Sequence, residues 1–170
     1  MIQKILIMGL PGTGKTTLAR MLAPKLNAVL FNADGMRANI NKDLGFSLED
    51  RLEQARRMGW LCDRVTESGH SAIADFICPT PEAREVFSPS FIVWVDRIKE
   101  GRFADTNRLF VPPENYDVRV YEEGSPEIWA DRIHSTLVER AKFNDRLRSE
   151  RLAPSSKRSK SKRSSATSCA

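Results

Sequence analysis

Cysteine and long apolar runs are both scarce in this sequence. The three cysteines, Cys62, Cys78 and Cys169, have neither metal-ligand spacing nor the pattern of a disulfide framework, which suits a reducing compartment. No segment approaches the roughly 20 apolar residues that a membrane-spanning helix needs. The apolar stretch near the N-terminus is interrupted by glycine and proline too early for a signal peptide. We therefore expect a cytoplasmic protein without a membrane partner.

Acidic residues are absent from residues 154–170, which carry five of the 27 basic residues. The rest of the chain then has 22 basic against 22 acidic residues, so the whole formal net charge of +5 lies in this tail. Residues 1–153 are predicted to form one domain, followed by a disordered Ser/Lys/Arg-rich tail. Such a tail could attract nucleic acid through its phosphates, but a free solvated tail is at least as good an interpretation.

One glycine-rich stretch fits the phosphate-binding pattern G-x-x-x-x-G-K-[ST] without a mismatch. A short apolar run precedes it and an apolar-periodic segment follows it, so it lies between a predicted strand and a predicted helix. Its glycines let backbone N–H groups surround phosphate oxygens, and the helix N-terminus adds partial positive charge. The predicted ATP-binding residues are Gly9, Leu10, Pro11, Gly12, Thr13, Gly14, Lys15, Thr16 and Thr17.

Within this phosphate loop (residues 9–16), two side chains have distinct expected roles. Lys15 is expected to reach the β- and γ-phosphates, and the Thr16 hydroxyl is expected to hold Mg²⁺. The expected co-substrate is therefore ATP, with Mg²⁺ as its companion ion.

Apolar runs alternate with helical patterns along the chain. The runs cover residues 4–8, 28–31, 70–77 and 91–95, and residues 118–121 form a candidate last strand. The second run is interpreted as a buried strand like the first. Continuous apolar strands separated by helices predict an α/β protein, with a parallel sheet of about five strands and helices on both faces.

Two further segments carry local signals. Ser47 and Asp50 form a weak capping box for a helix that we expect to run to Ser68 and stop at Gly69. Residues 96–117 are charged and are predicted to be irregular. A long loop of this kind is typical of a lid that excludes water and brings positive charge to a phosphoryl group.

Polar residues at the ends of the second and third strands are candidates for the acceptor side of a phosphotransferase. Asp34 could act as base for an acceptor hydroxyl or as a partner of Mg²⁺, but it could also be a helix N-cap. Asp75 lies in an apolar run, where a carboxylate is costly unless it is paired with a metal, a cation or hydrogen-bond donors. A group of basic residues is expected near the same side. The default interpretation of each is a charged residue on a solvated helix face. The group comprises Arg37, Arg51, Arg56 and Arg57.

Several blocks of the chain together resemble the adenylylsulfate kinases. They are the phosphate loop with Thr17, residues 31–37, residues 41–51, and residues 76–79. The run Asp-Leu-Gly-Phe-Ser-x-Glu-Asp-Arg at residues 43–51 is the specific part, because many enzymes share the phosphate loop. The resemblance covers about residues 2–95. It implies the P-loop NTPase fold and transfer of the γ-phosphoryl group of MgATP to a ribose hydroxyl of adenylylsulfate.

The resemblance also implies roles for individual residues. Lys15, Asp34 and Arg37 would be catalytic, Phe46 would stack on the substrate adenine, and Arg51 would be the substrate arginine. Independently of the resemblance, Asp34 or Asp75 is a candidate to hold Mg²⁺ together with Thr16. The implied substrate-binding residues are Asp34, Arg37, Phe46, Arg51, Gln54, Phe76, Ile77 and Cys78.

Five departures from the family pattern are visible. Asn32 stands where the family has an acidic residue, Ala33 replaces a glycine, Cys78 replaces a serine, and Asp75 is an unexpected acid before Phe76. In addition, residues 97–117 do not align with the family's lid. Other acceptors therefore stay open, namely a sugar, a nucleoside or a modified base in DNA.

A nucleotide-dependent switch without turnover is a third interpretation. It is disfavoured because the chain has no guanine-selecting Asn-Lys-x-Asp motif. The expected partners are ATP and a small hydroxyl-bearing acceptor, and a homodimer is a compatible assembly.

Overall fold

The computed structural model describes residues 2–121 and 124–152 of the chain. The predicted basic tail and the boundary placed at residue 153 lie outside these described residues. The helices and strands are, in chain order, β1 (Lys4–Met8), α1 (Lys15–Lys25), β2 (Ala28–Asn32), α2 (Ala33–Asn39), α3 (Leu48–Glu67), β3 (Ser71–Asp75), α4 (Pro81–Phe87), β4 (Phe91–Val95), α5 (Ala104–Leu109), β5 (Val118–Val120) and α6 (Pro126–Leu152).

The strands form one sheet in the order β2-β3-β1-β4-β5, and every neighbouring pair is parallel. This confirms the predicted α/β fold with a parallel sheet of five strands. The prediction that the second strand is buried was wrong. β2 lies at the edge of the sheet and pairs with β3. Among the described residues no strand pairs with its other side, and Val29 is 42% exposed.

Alternating side chains of β1 feed two separate cores, because successive side chains of a strand point to opposite faces. Ile5 and Ile7 pack on the face covered by α1 and α6. Leu6 and Met8 pack on the face covered by α3 and α4. All four side chains are fully buried, which explains why the first strand is apolar throughout. Both faces of the sheet are therefore covered by helices, as predicted.

Helix α3 begins and ends close to its predicted limits. Ser47 accepts a hydrogen bond from the Asp50 amide, and the Asp50 carboxylate accepts one from the Ser47 amide, which completes the capping box. The helix ends at Glu67, one residue before the predicted Ser68, and Gly69 follows with φ +91°. A glycine tolerates this left-handed conformation at a helix end better than other residues do.

The carboxyl ends of the parallel strands meet at one edge of the sheet, where α/β proteins bind their ligands. The phosphate loop follows β1, Ala33 and Asp34 follow β2, and Phe76 follows β3. The sequence predicted a strand over residues 70–77, but β3 ends at Asp75. The placement of Phe76 and Ile77 within the strand was therefore wrong, and both lie beyond its end. Residues 96–117 are not irregular throughout, because they contain α5. Among the described helices, none has the length and apolar character needed to cross a membrane.

Candidate active site

A cavity of about 640 Å³ lies at this edge of the sheet. Its wall includes Pro11, Gly12, Gly14, Lys15, Thr16 and Thr17 from the predicted ATP-binding set. It also includes all of the predicted substrate-binding residues, namely Asp34, Arg37, Phe46, Arg51, Gln54, Phe76, Ile77 and Cys78. A volume of this order is typical of a small-molecule site. Residues that are far apart in the sequence thus share one cavity.

Gly9, Leu10 and Thr13 shape the phosphate loop and do not line the cavity. Gly9 adopts φ +147°, and a Cβ there would lie 2.3 Å from the carbonyl oxygen of Val95. No side chain fits at that distance, so the first turn of the loop requires glycine. The Thr13 hydroxyl donates to the Leu10 carbonyl over 2.9 Å and braces the loop from within.

Lys15 is buried at the start of α1, with 8% of its surface exposed. Its Nζ donates to the Leu10 carbonyl over 2.8 Å. Burial lowers the pKa of Lys15 to about 8, although the negative charges of Asp75 and Asp34 act in the opposite direction. A phosphate placed against this loop would add negative charge beside the ammonium and favour its protonated form.

Thr16, Asn32 and Asp75 form a hydrogen-bonded triad that joins three elements. The Thr16 hydroxyl donates to Asp75 Oδ1 over 3.2 Å, and Asn32 Nδ2 donates to Asp75 Oδ2 over 3.0 Å. Burial raises the pKa of Asp75, and the hydrogen bonds from Asn32 and Thr16 oppose that shift. Asp75 is thus paired with donors, as a buried carboxylate must be. Sequence reasoning noted Asn32 as a departure but did not assign it to the site.

Asn32 also determines where α2 begins. Its Oδ1 accepts a hydrogen bond from the Gly35 amide over 2.9 Å and caps the helix. The alternative interpretation of Asp34 as the N-cap was therefore wrong. Asp34 lies in the first helical turn, exposed and on the cavity wall.

The acceptor side of the cavity has an aromatic ring close to two guanidinium groups. The centre of the Phe46 ring lies 4.8 Å from the Arg37 guanidinium carbon and 5.7 Å from that of Arg51. Arg37 Nη1 donates to the carbonyls of Leu44 and Gly45, which holds the arginine in place. Burial lowers the pKa of Arg37, and the positive charge of Arg51 lowers it further. Phe46 as a residue is 66% exposed.

The other two arginines of the predicted basic group do not line the cavity. Arg57 forms ion pairs with Asp43 and Glu53, and Arg56 forms one with Glu53. Both therefore fit the default interpretation of a charged helix surface. Gln54, by contrast, is buried beneath the cavity, where it accepts from Asn41 Nδ2 over 2.9 Å and donates to the Ala33 carbonyl over 3.4 Å.

Cys78 borders the cavity without exposing its thiol. The residue is fully buried, and its backbone adopts φ +45°. Burial raises the pKa of the Cys78 thiol well above its ordinary value. Since the thiolate is the nucleophilic form of cysteine, Cys78 acts here through packing and backbone position.

The segment after β4 supplies part of the wall that sequence reasoning did not assign residue by residue. Arg102, Phe103, Asp105 and Thr106 all line the cavity. Arg51 Nη2 donates to Thr106 Oγ1 over 3.2 Å and approaches Asp105 Oδ2 at 3.4 Å. No sequence pattern pairs residues this far apart, so only the fold could reveal the contact.

The donor set suits Mg²⁺ bound together with a triphosphate. Within residues 2–121 and 124–152, no cluster of three or more His, Cys, Asp or Glu residues could hold a metal by itself. Magnesium characteristically binds one or two protein oxygens and completes its shell with water and substrate phosphates. The Thr16 hydroxyl and the Asp75 carboxylate, 3.2 Å apart, provide oxygens of this kind beside the phosphate loop.

Comparison with known proteins gives consistent matches. The sequence model of the family described as Adenylylsulphate kinase matches residues 2–92. The adenylyl-sulfate kinase of Gloeothece citriformis is 40% identical over 86 residues, which are 48% of this chain and 49% of the relative. That of Bacillus pumilus is 38% identical over 128 residues, which are 72% of this chain and 58% of the relative. The chain spans about half the length of the curated relatives that it matches.

A solved structure agrees with the fold. The APS kinase of Mycobacterium tuberculosis, in complex with AMPPNP and APS, superposes with a TM-score of 0.70 at 23% identity. The superposition covers 81% of this chain and 99% of that one. The family match spans more than half of the chain and agrees with the resemblance found in the sequence. The chain belongs to the adenylylsulfate kinase family.

Proposed function

We propose that this protein transfers the γ-phosphoryl group of MgATP to a ribose hydroxyl of adenylylsulfate. The observation that carries the proposal is the shared cavity, in which the Arg37–Phe46–Arg51 cluster and Asp34 line the same space as Lys15 and Thr16. Family membership supports the same reaction. Phosphoryl transfer requires positioning and charge stabilisation more than covalent chemistry, and this cavity offers both.

The phosphate loop would hold the nucleotide. Its backbone N–H groups and the N-terminus of α1 would bind phosphate oxygens. The Lys15 ammonium would leave the Leu10 carbonyl and contact the β- and γ-phosphates instead. Thr16 and Asp75 would hold Mg²⁺, which neutralises charge on the phosphates when bound. Asn32 would keep the Asp75 carboxylate facing Thr16.

The acceptor would bind against the other wall. Phe46 would stack on its adenine ring, Arg51 would bind its anionic group, and Arg37 would stabilise charge on the transferring phosphoryl group. Asp34 would accept the proton of the attacking hydroxyl as the new oxygen–phosphorus bond forms. The bond between the γ-phosphorus and the β,γ-bridging oxygen would break in the same step, and ADP would leave. Gln54 would support the wall from beneath, and the backbone at residues 76–78 would frame the acceptor.

One observation is the reason for testing a second acceptor class beside adenylylsulfate. The family model ends at residue 92, whereas the cavity wall continues through Arg102, Phe103, Asp105 and Thr106. Four lining residues therefore lie outside the matched region, and they could accommodate another hydroxyl on a sugar, a nucleoside or a modified base in DNA. The phosphate-loop chemistry would be the same for either acceptor.

The deciding experiment is ADP release measured with adenylylsulfate and, in parallel, with hydroxymethylated DNA. Turnover with adenylylsulfate alone is the expected result. Turnover with DNA alone would overturn the choice of acceptor while retaining the kinase. Tight MgATP binding without turnover on either would contradict the proposed acceptor and direct the search to sugars and nucleosides.

A further inference from the structure

The α5 segment is held firmly against the cavity. Asn107 donates to the Gly101 carbonyl and accepts from the Gly101 amide, over 2.9 and 2.8 Å. Gly101 packs so closely on the phosphate loop that a Cβ there would lie 2.8 Å from Pro11 Cδ. After the helix, the Val111 amide donates to the Pro79 carbonyl over 2.8 Å. Asp105 and Thr106 therefore have defined positions on the wall.

Arg51 is the side chain that α5 contacts inside the cavity. The arginine is buried, and its Nε donates to the Phe46 carbonyl over 2.9 Å. Its Nη2 faces both Thr106 Oγ1 and Asp105 Oδ2. Thr106 is buried and neutral, whereas the Asp105 side chain is 60% exposed and negatively charged. An incoming anion would thus compete with Asp105 for the Arg51 guanidinium, because both are negatively charged. Thr106 is neutral and has no charge that opposes the anion.

We propose that Asp105 is a specificity-determining residue of the acceptor site, because its carboxylate competes with anionic acceptors for the Arg51 guanidinium. The inference rests on the proposed function, in which Arg51 binds the anionic group of the acceptor. Asp105 lowers the affinity for anionic acceptors and leaves neutral acceptors unaffected. Asp105 follows residue 92, where the match to the family model ends. It therefore adjusts the acceptor preference of this chain independently of the residues that match the family model.

The test measures binding, so that it does not depend on turnover. The dissociation constant of adenylylsulfate is measured with ADP bound, in the parent chain and in Asp105→Asn. The asparagine keeps the shape of the side chain and one acceptor oxygen, removes the charge, and replaces the other oxygen with an NH₂ donor. A partly exposed ion pair contributes only a small free energy, so we expect binding to tighten about threefold.

Two controls isolate the contact. Glu100→Gln removes a charge from the same segment at an exposed residue outside the cavity wall, and it should leave the dissociation constant unchanged. Adenosine, which has no anionic group, should bind the parent and Asp105→Asn equally. Unchanged or weaker adenylylsulfate binding in Asp105→Asn would overturn the inference, as would equal tightening in Glu100→Gln.

The failure of the proposed acceptor has a different signature. If the parent chain binds MgATP but neither binds nor phosphorylates adenylylsulfate, the acceptor assignment fails. Sulfate then serves as the probe, with ADP occupying the phosphate loop. The sulfate concentration that gives half of the maximal thermal shift should still be lower in Asp105→Asn, and equal concentrations would overturn the role of Asp105.

Discussion

Asn32 donates a hydrogen bond to the Asp75 carboxylate over 3.0 Å, and the same amide side chain caps the helix that carries Asp34. One residue at the end of an edge strand thus connects the carboxylate beside Thr16 with the helix on the acceptor side. A carboxylate at position 32 could accept from Gly35 in the same way, but it could not donate to Asp75. The asparagine therefore suits this chain because its neighbour on β3 is an aspartate.

Asp75→Asn should reduce the dependence of nucleotide binding on Mg²⁺. The substitution keeps the shape of the side chain but removes the charged oxygen beside Thr16. Substitution of a residue that supports a bound metal typically costs 10- to 100-fold in metal affinity, so the gain in ADP affinity on adding Mg²⁺ should fall by about that factor. The measurement compares ADP dissociation constants in Mg²⁺ and in EDTA. Asp43→Asn, a solvent-exposed acid paired with Arg57, should keep the full gain.

Asp34→Asn should separate binding from chemistry. The asparagine cannot accept the hydroxyl proton, and loss of a general base typically costs 10²- to 10⁴-fold in rate, so kcat should fall by about that factor. ATP affinity should change little, because Asp34 is exposed and the phosphate loop is intact. Steady-state kinetics and calorimetry measure the two quantities separately. Turnover near the parent rate would remove Asp34 from the proton transfer.

Ser47→Ala should destabilise the fold without affecting the phosphate loop. It removes the acceptor for the Asp50 amide and breaks the capping box of α3. Loss of an N-cap costs about 1 kcal/mol of the free energy of unfolding. Urea denaturation measures the change, and Ser68→Ala at the other end of the same helix provides a matched control. A change of equal size in the control would mean that the capping box has no special contribution.

The sequence allows prediction of features that depend on local pattern. The phosphate loop, the capping box at Ser47 and the apolar strands all have signals within a few residues, and the structure contains each of them. The exposure of β2 could not be predicted, because it depends on where the strand lies in the sheet. The contact of Arg51 with Asp105 and Thr106 joins helices that are distant in sequence, and no periodicity indicates it. In the sequence, Asn32 is visible only as a departure from the family pattern. Its contact with Asp75 could not be predicted, because the pairing of β2 with β3 brings the two residues together.

Nucleotide binding should be accompanied by proton uptake near pH 8. Lys15 has a pKa lowered to about 8 by burial, and the phosphates of ADP should raise that pKa by adding negative charge nearby. The bound state then holds more protons than the free state, so affinity falls as the pH rises through this value. Because the pKa of Lys15 in the free chain lies at about 8, binding at pH 8 should take up a fraction of a proton per site.

Calorimetry in two buffers of different ionisation enthalpy measures this uptake directly. Lys15→Met removes the titrating group while keeping an unbranched side chain of similar length, and its binding should be weaker and free of proton uptake at pH 8. At pH 6, where Lys15 is already protonated in the free chain, the parent should no longer take up a proton through this group. Equal uptake at pH 8 by the parent and by Lys15→Met would contradict the assignment, because the proton would then bind elsewhere.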